Sequence, residues 1–276
     1  MNVAIVGLGL IGGSLAKTFS AHGHRVYGMD KNPQTMEQAL QDGAVADVLD
    51  DVRMAHCDLV LICLYPQKTV DYILEKQQVF AGDTVVLDVC GVKEFVCREI
   101  EPVAVERGFT FVGAHPMAGR ELSGYRASMD NLFHHASMIL TPSANTDSNI
   151  INKLSNLFYS LEFRKVVVAT PQRHDEIIAI TSQLAHIVSN CYVKSPTAQD
   201  FGGFSAGSFK DLTRVAKLNE EMWTDLFSKN RPNLLRELDI FLENLQRYRD
   251  ALAQEDDTEL CALLRQGREI KEALRP

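Results

Sequence analysis

The stretch NVAIVGLGLIGGS at residues 2–14 decides how the chain is read. Residues 2–6 are a continuous apolar, β-branched run, the mark of a strand buried on both faces, and the run stops at a glycine cluster. Gly7-Leu8-Gly9-Leu10-Ile11-Gly12 then spells G-x-G-x-x-G. A bare match is weak, because glycines cluster by chance. Here the motif follows a strand, opens a helical stretch that continues to Ala21, and precedes a second strand-like run, RVYGMD at 25–30, that ends on Asp30. Gly7 permits the tight turn, Gly9 lets the backbone approach a pyrophosphate, and Gly12 allows close helix–strand packing. The helix N-terminus offers unpaired N–H groups and partial positive charge to the phosphates. Asp30 can accept hydrogen bonds from both ribose hydroxyls and repels a 2′-phosphate, which favours NAD over NADP, although the neighbouring Lys31 pulls the other way. Leu10, Ile11, Leu64 and Asp88 complete the expected cofactor cradle.

Working outward, short apolar runs recur at 58–65, 84–89, 109–114, 137–142 and 165–170, with helical stretches such as 66–79 and 92–107 between them. Runs apolar on both faces, alternating with helices, predict a Rossmann-type, doubly wound and mostly parallel sheet over residues 1–170. After Pro171 no convincing strand remains. Ile177, Ile180, Leu184, Ile187 and Cys191 repeat at helical spacing, and two further helical patterns run from Arg231 to Tyr248 and from Leu260 to Leu274. Residues 171–276 therefore read as an all-helical second domain, α/β first and all-α afterwards. Its long apolar face predicts a homodimer, against the alternative of one closed monomeric bundle.

Composition narrows the class. The chain has 276 residues, 46% hydrophobic and 23% charged, which is ordinary globular usage. A net charge of −8 and the lack of a Lys/Arg cluster disfavour nucleic acid as a partner. Six cysteines without a C-x-x-C pair fit neither a disulfide scaffold nor a zinc site, and reduced thiols in a cytoplasmic protein are the better reading. Nothing approaches the roughly 18 unbroken apolar residues of a membrane span. The uncharged first 16 residues lack a basic n-region and are broken by four glycines, so they are not read as a secretory signal.

Two stretches carry further chemistry. Gly113-Ala114-His115-Pro116-Met117-Ala118-Gly119 directly follows the run at 109–114, and carboxyl ends of strands are where open α/β sheets bind ligands. Phe209-Lys210-Asp211-Leu212-Thr213-Arg214 precedes Trp223, the single tryptophan. Between them, Gln183, His186 and Asn190 share one polar stripe of a helix over 173–193. The other six histidines, His174 among them, have no metal-ligand spacing and are read as surface residues; no metal is expected.

Together these stretches resemble the prephenate/arogenate dehydrogenase family of tyrosine biosynthesis over essentially the whole chain. The similar segments are GLGLIGGS at the start, D-x-x-x-V-K at 88–93, HPMAG at 115–119, S-x-L-x-H at 182–186 and F-K-D-x-T-R at 209–214. The resemblance implies NAD-dependent oxidative decarboxylation of a cyclohexadienol, prephenate or alternatively arogenate. With nothing after the helices, it implies the short form without an ACT domain. On it, His115 accepts the proton of the ring hydroxyl, and Arg214 binds the ring carboxylate with a planar fork that lysine would reproduce poorly. Glu121 lies near that arginine. His186 and Gln183 line the substrate pocket, with a satisfied interfacial histidine as the other reading of His186. Trp223 either stacks near the substrate or anchors a buried patch. Gly91 stands where the family often has serine, and Gln183 and Ala185 stand where histidine and proline are common, so substrate choice does not transfer. A β-hydroxyacid dehydrogenase or imine reductase of similar layout, and a dinucleotide-sensing protein without activity, are the alternatives against which HPMAG and FKDLTR argue.

Overall fold

A computed structural model describes residues 1–80, 82–205 and 207–274. Eight strands form one sheet: β1 (Asn2–Val6), β2 (Arg25–Met29), β3 (Asp47–Val48), β4 (Leu59–Ile62), β5 (Val85–Asp88), β6 (Thr110–Pro116), β7 (Ser137–Pro142) and β8 (Lys165–Val168). Their spatial order is β3-β2-β1-β4-β5-β6-β7-β8. The pairs from β3 through to β6 are parallel, β7 runs antiparallel to β6, and β8 runs parallel to β7. Order reverses between β1 and β4, the switch point at which such sheets open a crevice.

The central strands are buried on both faces because helices cover both. Val3, Ile5, Leu59, Leu61, Leu87, Val112 and Ala114 point to one side, where they pack with Leu15, Ala16 and Phe19 of α1 (Leu10–Ala21) and Leu154 and Phe158 of α6 (Ser148–Ser160). Their alternates Ala4, Val6, Val60, Ile62, Val86 and Phe111 face Val70 and Ile73 of α4 (Pro66–Lys76) and Val96, Cys97 and Ile100 of α5 (Glu94–Arg107). Between β2 and β4 lie α2 (Pro33–Gln41) and the single turn α3 (Asp51–Met54).

After β8 the chain is helical: α7 (Pro171–Ile178), a π-helical segment at Ala179–Leu184, α8 (Ala185–Tyr192), α9 (Gly207–Thr213), α10 (Glu220–Lys229), α11 (Arg231–Ala253) and α12 (Asp257–Ala273). The helix read over 173–193 thus contains a π turn, which widens the backbone by one residue and re-aims the side chains beyond it. Its inward face also differs from the sequence reading. Ile178, Ala179 and Leu184 are buried, whereas Ile177 and Ile180 are exposed. The i, i+3, i+4 set that turns inward starts at Asp175, a charged residue that apolar periodicity does not flag.

The chain divides into two compact units, Met1–Arg231 and Pro232–Pro276. In the first, α7 and α10 pack against each other and against the helices that flank the sheet: Asn230 Nδ2 donates to the Asp175 carbonyl at 2.9 Å, and the α10 residue Asp225 accepts from the Gln67 N–H at the start of α4 at 3.2 Å. In the second, α11 and α12 are joined by an Arg247–Glu259 ion pair at 3.2 Å. Among the described residues, no helix is long and apolar enough to cross a membrane.

Candidate active site

The turn between β1 and α1 has the form a dinucleotide needs. Gly7 has φ +88°, and a Cβ there would lie 2.6 Å from the Cys63 carbonyl oxygen. A Cβ on Gly12 would collide with the Gly7 carbonyl, whereas one on Gly9 would meet nothing within 4 Å, so open space lies over the middle of the turn. No side chain caps α1 at Gly9, which leaves the helix N-terminus to an anion. Asp30 is fixed by two backbone donors, Leu8 N–H at 2.8 Å and Asn32 N–H at 2.9 Å, and both oxygens retain lone pairs for further donors. Leu64 reaches the same turn, its Cδ2 standing 2.9 Å from where a Gly7 Cβ would be. These residues fit a nicotinamide dinucleotide.

Asp88 does something else. Its side chain has no exposure; Oδ1 forms an ion pair with the equally buried Lys93 and accepts from the Cys90 N–H at 2.9 Å. Oδ2 is buried with no hydrogen-bond partner among the described residues. Asp88 therefore shapes the 88–93 loop from beneath, where no ligand reaches it in this conformation. Lys93 Nζ also donates to the Ala114 carbonyl at 2.6 Å, tying the ends of β5 and β6 together one residue before His115. Burial opposes the Lys93 charge, but the Asp88 carboxylate together with Cys90 and Cys97 offsets it and holds the ammonium above its ordinary range.

His115 stands at the end of β6, paired in register with Ile139. Its Nδ1 is 2.8 Å from His174 Nε2, and His174 Nδ1 is 2.6 Å from Asp175 Oδ1. This corrects the surface placement read for His174, which is 2% exposed. Residues 174 and 175 face the sheet because Asp175 caps α5, accepting from Lys93 N–H at 2.8 Å and Glu94 N–H at 2.9 Å. Burial, then His174, then the Lys93 cation hold the His115 imidazole well below the ordinary histidine range. These surroundings favour the neutral form of the His115 imidazole.

The opposite wall comes from the helices. Leu226 of α10 stands over Gly91: a Cβ on Gly91 would lie 3.3 Å from Leu226 Cδ2 and 3.9 Å from His115 Cε1. Three residues before it on α10, Trp223 packs against His186 with ring centroids 4.0 Å apart and planes tilted by 34°. His186 Nδ1 donates to the Ser182 carbonyl at 2.8 Å, and burial lowers its pKa. Gln183 departs from the expected stripe. Lying in the π turn, it is 1% exposed, and its Oε1 accepts from Asn230 Nδ2 at 2.8 Å. Asn190 Nδ2 meanwhile donates to the Ala216 carbonyl at 3.1 Å. Arg214 is exposed and its Nη1 donates to Glu121, in the segment that follows β6. The strand that ends beside His115 is thus continued by the chain that holds Arg214. Sequence reasoning had Lys93 only as the lysine of the D-x-x-x-V-K segment, read His174 as a surface residue, and missed Asp175, Leu226 and Asn230; the one available signal was the polar His174-Asp175 pair beside Ile178 and Ala179.

Both halves of the chain match family models. Residues 15–168 match the prephenate dehydrogenase nucleotide-binding domain, and residues 170–266 match the prephenate dehydrogenase dimerization domain. The cyclohexadienyl dehydrogenase of Zymomonas mobilis is 30% identical, over 99% of this chain and 96% of its own. Among solved structures, the A. aeolicus prephenate dehydrogenase in complex with hydroxyphenyl propionate and NAD+ superposes with a TM-score of 0.87 at 28% identity, covering 99% of this chain and 97% of that one. Synechocystis arogenate dehydrogenase gives 0.81 at 26% identity, covering 99% of both. Matched over both its nucleotide-binding and its helical portions, the chain belongs to the prephenate dehydrogenase family.

Proposed function

We propose that this chain catalyses the NAD-dependent oxidative decarboxylation of prephenate to 4-hydroxyphenylpyruvate, with conversion of arogenate to tyrosine as the alternative that the likeness to the Synechocystis enzyme favours. The observation that carries the reading is the His115 imidazole at the end of β6, its Nδ1 engaged by His174, in one compact unit with the glycine turn and with Arg214. Gly7, Gly9, Gly12, Asp30 and Leu64 would hold NAD, which would supply the acceptor for the hydride of the hydroxyl-bearing ring carbon as the ring carboxylate is lost as carbon dioxide and the ring becomes aromatic. His115 takes the hydroxyl proton on Nε2, the nitrogen not engaged by His174. Arg214 exchanges its exposed partner Glu121 for the ring carboxylate, and the guanidinium fork fixes that carboxylate's plane. His186 and Trp223 line the wall toward the substrate side chain, and Gly91 leaves the floor beside His115 without a side chain. The test is formation of reduced nicotinamide, followed by absorbance, with both substrates against NAD and NADP. No reaction with either substrate overturns the reading.

Arg214→Ala raises KM for the substrate by about tenfold to a hundredfold with a smaller change in kcat, the scale of a charged hydrogen bond. Initial rates over a substrate series measure it, and an unchanged KM moves the carboxylate site elsewhere.

We also infer a cytoplasmic homodimer divided functionally near residue 170. The match to a dimerization domain over 170–266 supports the pairing, as do the exposed Leu235, Leu242, Leu245 and Leu252 of α11 and Leu264 and Ile270 of α12. All six cysteines are free thiols, which suits a reducing compartment.

A further inference from the structure

We propose that Asp175 and His174 are positioning residues that set the tautomer of His115, so that its Nε2 carries a free lone pair toward the cleft. The inference rests on the reading of His115 as the proton acceptor. An ionised carboxylate can only accept hydrogen bonds. Asp175 Oδ1, 2.6 Å from His174 Nδ1, therefore keeps that ring's proton on Nδ1. His174 Nε2 is left as an acceptor, and at 2.8 Å it takes the hydrogen bond of His115 Nδ1–H. With its proton held on Nδ1, neutral His115 has only Nε2 free to accept. Each link fixes the next.

Asp175 cannot swing away, because its two oxygens also receive the first N–H groups of α5, from Lys93 and Glu94. Its backbone carbonyl is held by Asn230. The charged groups around the relay are few: Asp175 from α7, Lys93 before α5, and Asp88 from β5, with Lys93 and Asp88 paired to each other. From α10 the neighbour nearest the His115 side of Gly91 is the apolar Leu226. Asp175 and His174 are 0% and 2% exposed, so neither touches substrate. His174 and Asp175 thus act on His115 through geometry, by holding its ring and its Nδ1 proton, while burial, His174 and Lys93 keep the resting imidazole below the ordinary histidine range.

The test reads ring protons directly. Long-range nitrogen–proton NMR on the histidine-labelled protein is expected to find the Nδ1–H tautomer at both His115 and His174. In Asp175→Ala the acceptor that holds the His174 proton on Nδ1 is gone, the Nε2–H form grows in at both rings, and kcat falls about a hundredfold with little change in KM. His174→Phe gives a similar fall. His174→Gln falls much less, since its carbonyl oxygen can accept from His115 and its amide can donate to Asp175. A purely structural role would instead leave the His115 tautomer unmoved and rank the variants by unfolding temperature. An Nε2–H tautomer at His115 in the unmodified protein overturns the proposal, as does unchanged kcat in folded Asp175→Ala. If the unmodified protein turns over neither prephenate nor arogenate, the functional reading falls, while the ring-nitrogen spectra still decide the tautomer.

Discussion

Replacing His115 with asparagine lowers kcat by about two to four orders of magnitude and leaves KM for the substrate within a few-fold. The asparagine amide overlaps the Nδ1 edge of the imidazole, so it can still donate to His174 Nε2 and hold the local packing. It has nothing at the Nε2 position, and an amide is no base near pH 7. The loss therefore falls on the transition state, where the hydroxyl proton moves, and spares the ground state, in which Arg214 supplies the charged contact. Steady-state rates of nicotinamide reduction measure both constants. An unchanged kcat removes His115 from the chemistry.

The second large effect is on stability. Lys93→Met costs about 3–5 kcal/mol, because it strands the Asp88 carboxylate in a site with no exposure and with one oxygen already unpartnered. The variant also deprives the Ala114 carbonyl of its donor, so the end of β6 loosens where His115 begins. Adding Asp88→Asn removes the orphaned charge and recovers most of the loss. Denaturant unfolding of the single and double variants measures the difference. A single variant as stable as the unmodified chain would show that the buried pair contributes nothing to the fold.

The two effects bracket what the sequence makes legible. Residues 2–14 dictate β1, the turn and α1 because every constraint there is local: an apolar run, two glycines with no room for a Cβ, and a helix opening behind them. His115 is readable for the same reason, as it ends a short strand. The direction of β7 is not, since a run buried on both faces has the same pattern either way, and it is disclosed by the register, which runs from Val112 opposite Pro142 to Pro116 opposite Met138. The relay is harder still. His174 and Asp175 look like surface residues until α5 is brought alongside, because the N–H groups that justify burying a carboxylate belong to residues 81 and 82 positions earlier in the chain. Gln183 misleads by one residue: apolar spacing presumes an α-helix, and the π turn rotates Gln183 inward to Asn230.

That turn has a consequence of its own. Between Ala179 and Leu184 the helix holds one amino acid more than regular winding requires, and wider winding forfeits regular hydrogen bonds. Excising a single residue there would mend the coil and, in the same stroke, rotate His186 away from Trp223. The irregularity is thus a point where sturdiness and competence pull apart, and a chain selected for heat resistance alone would be expected to lose it.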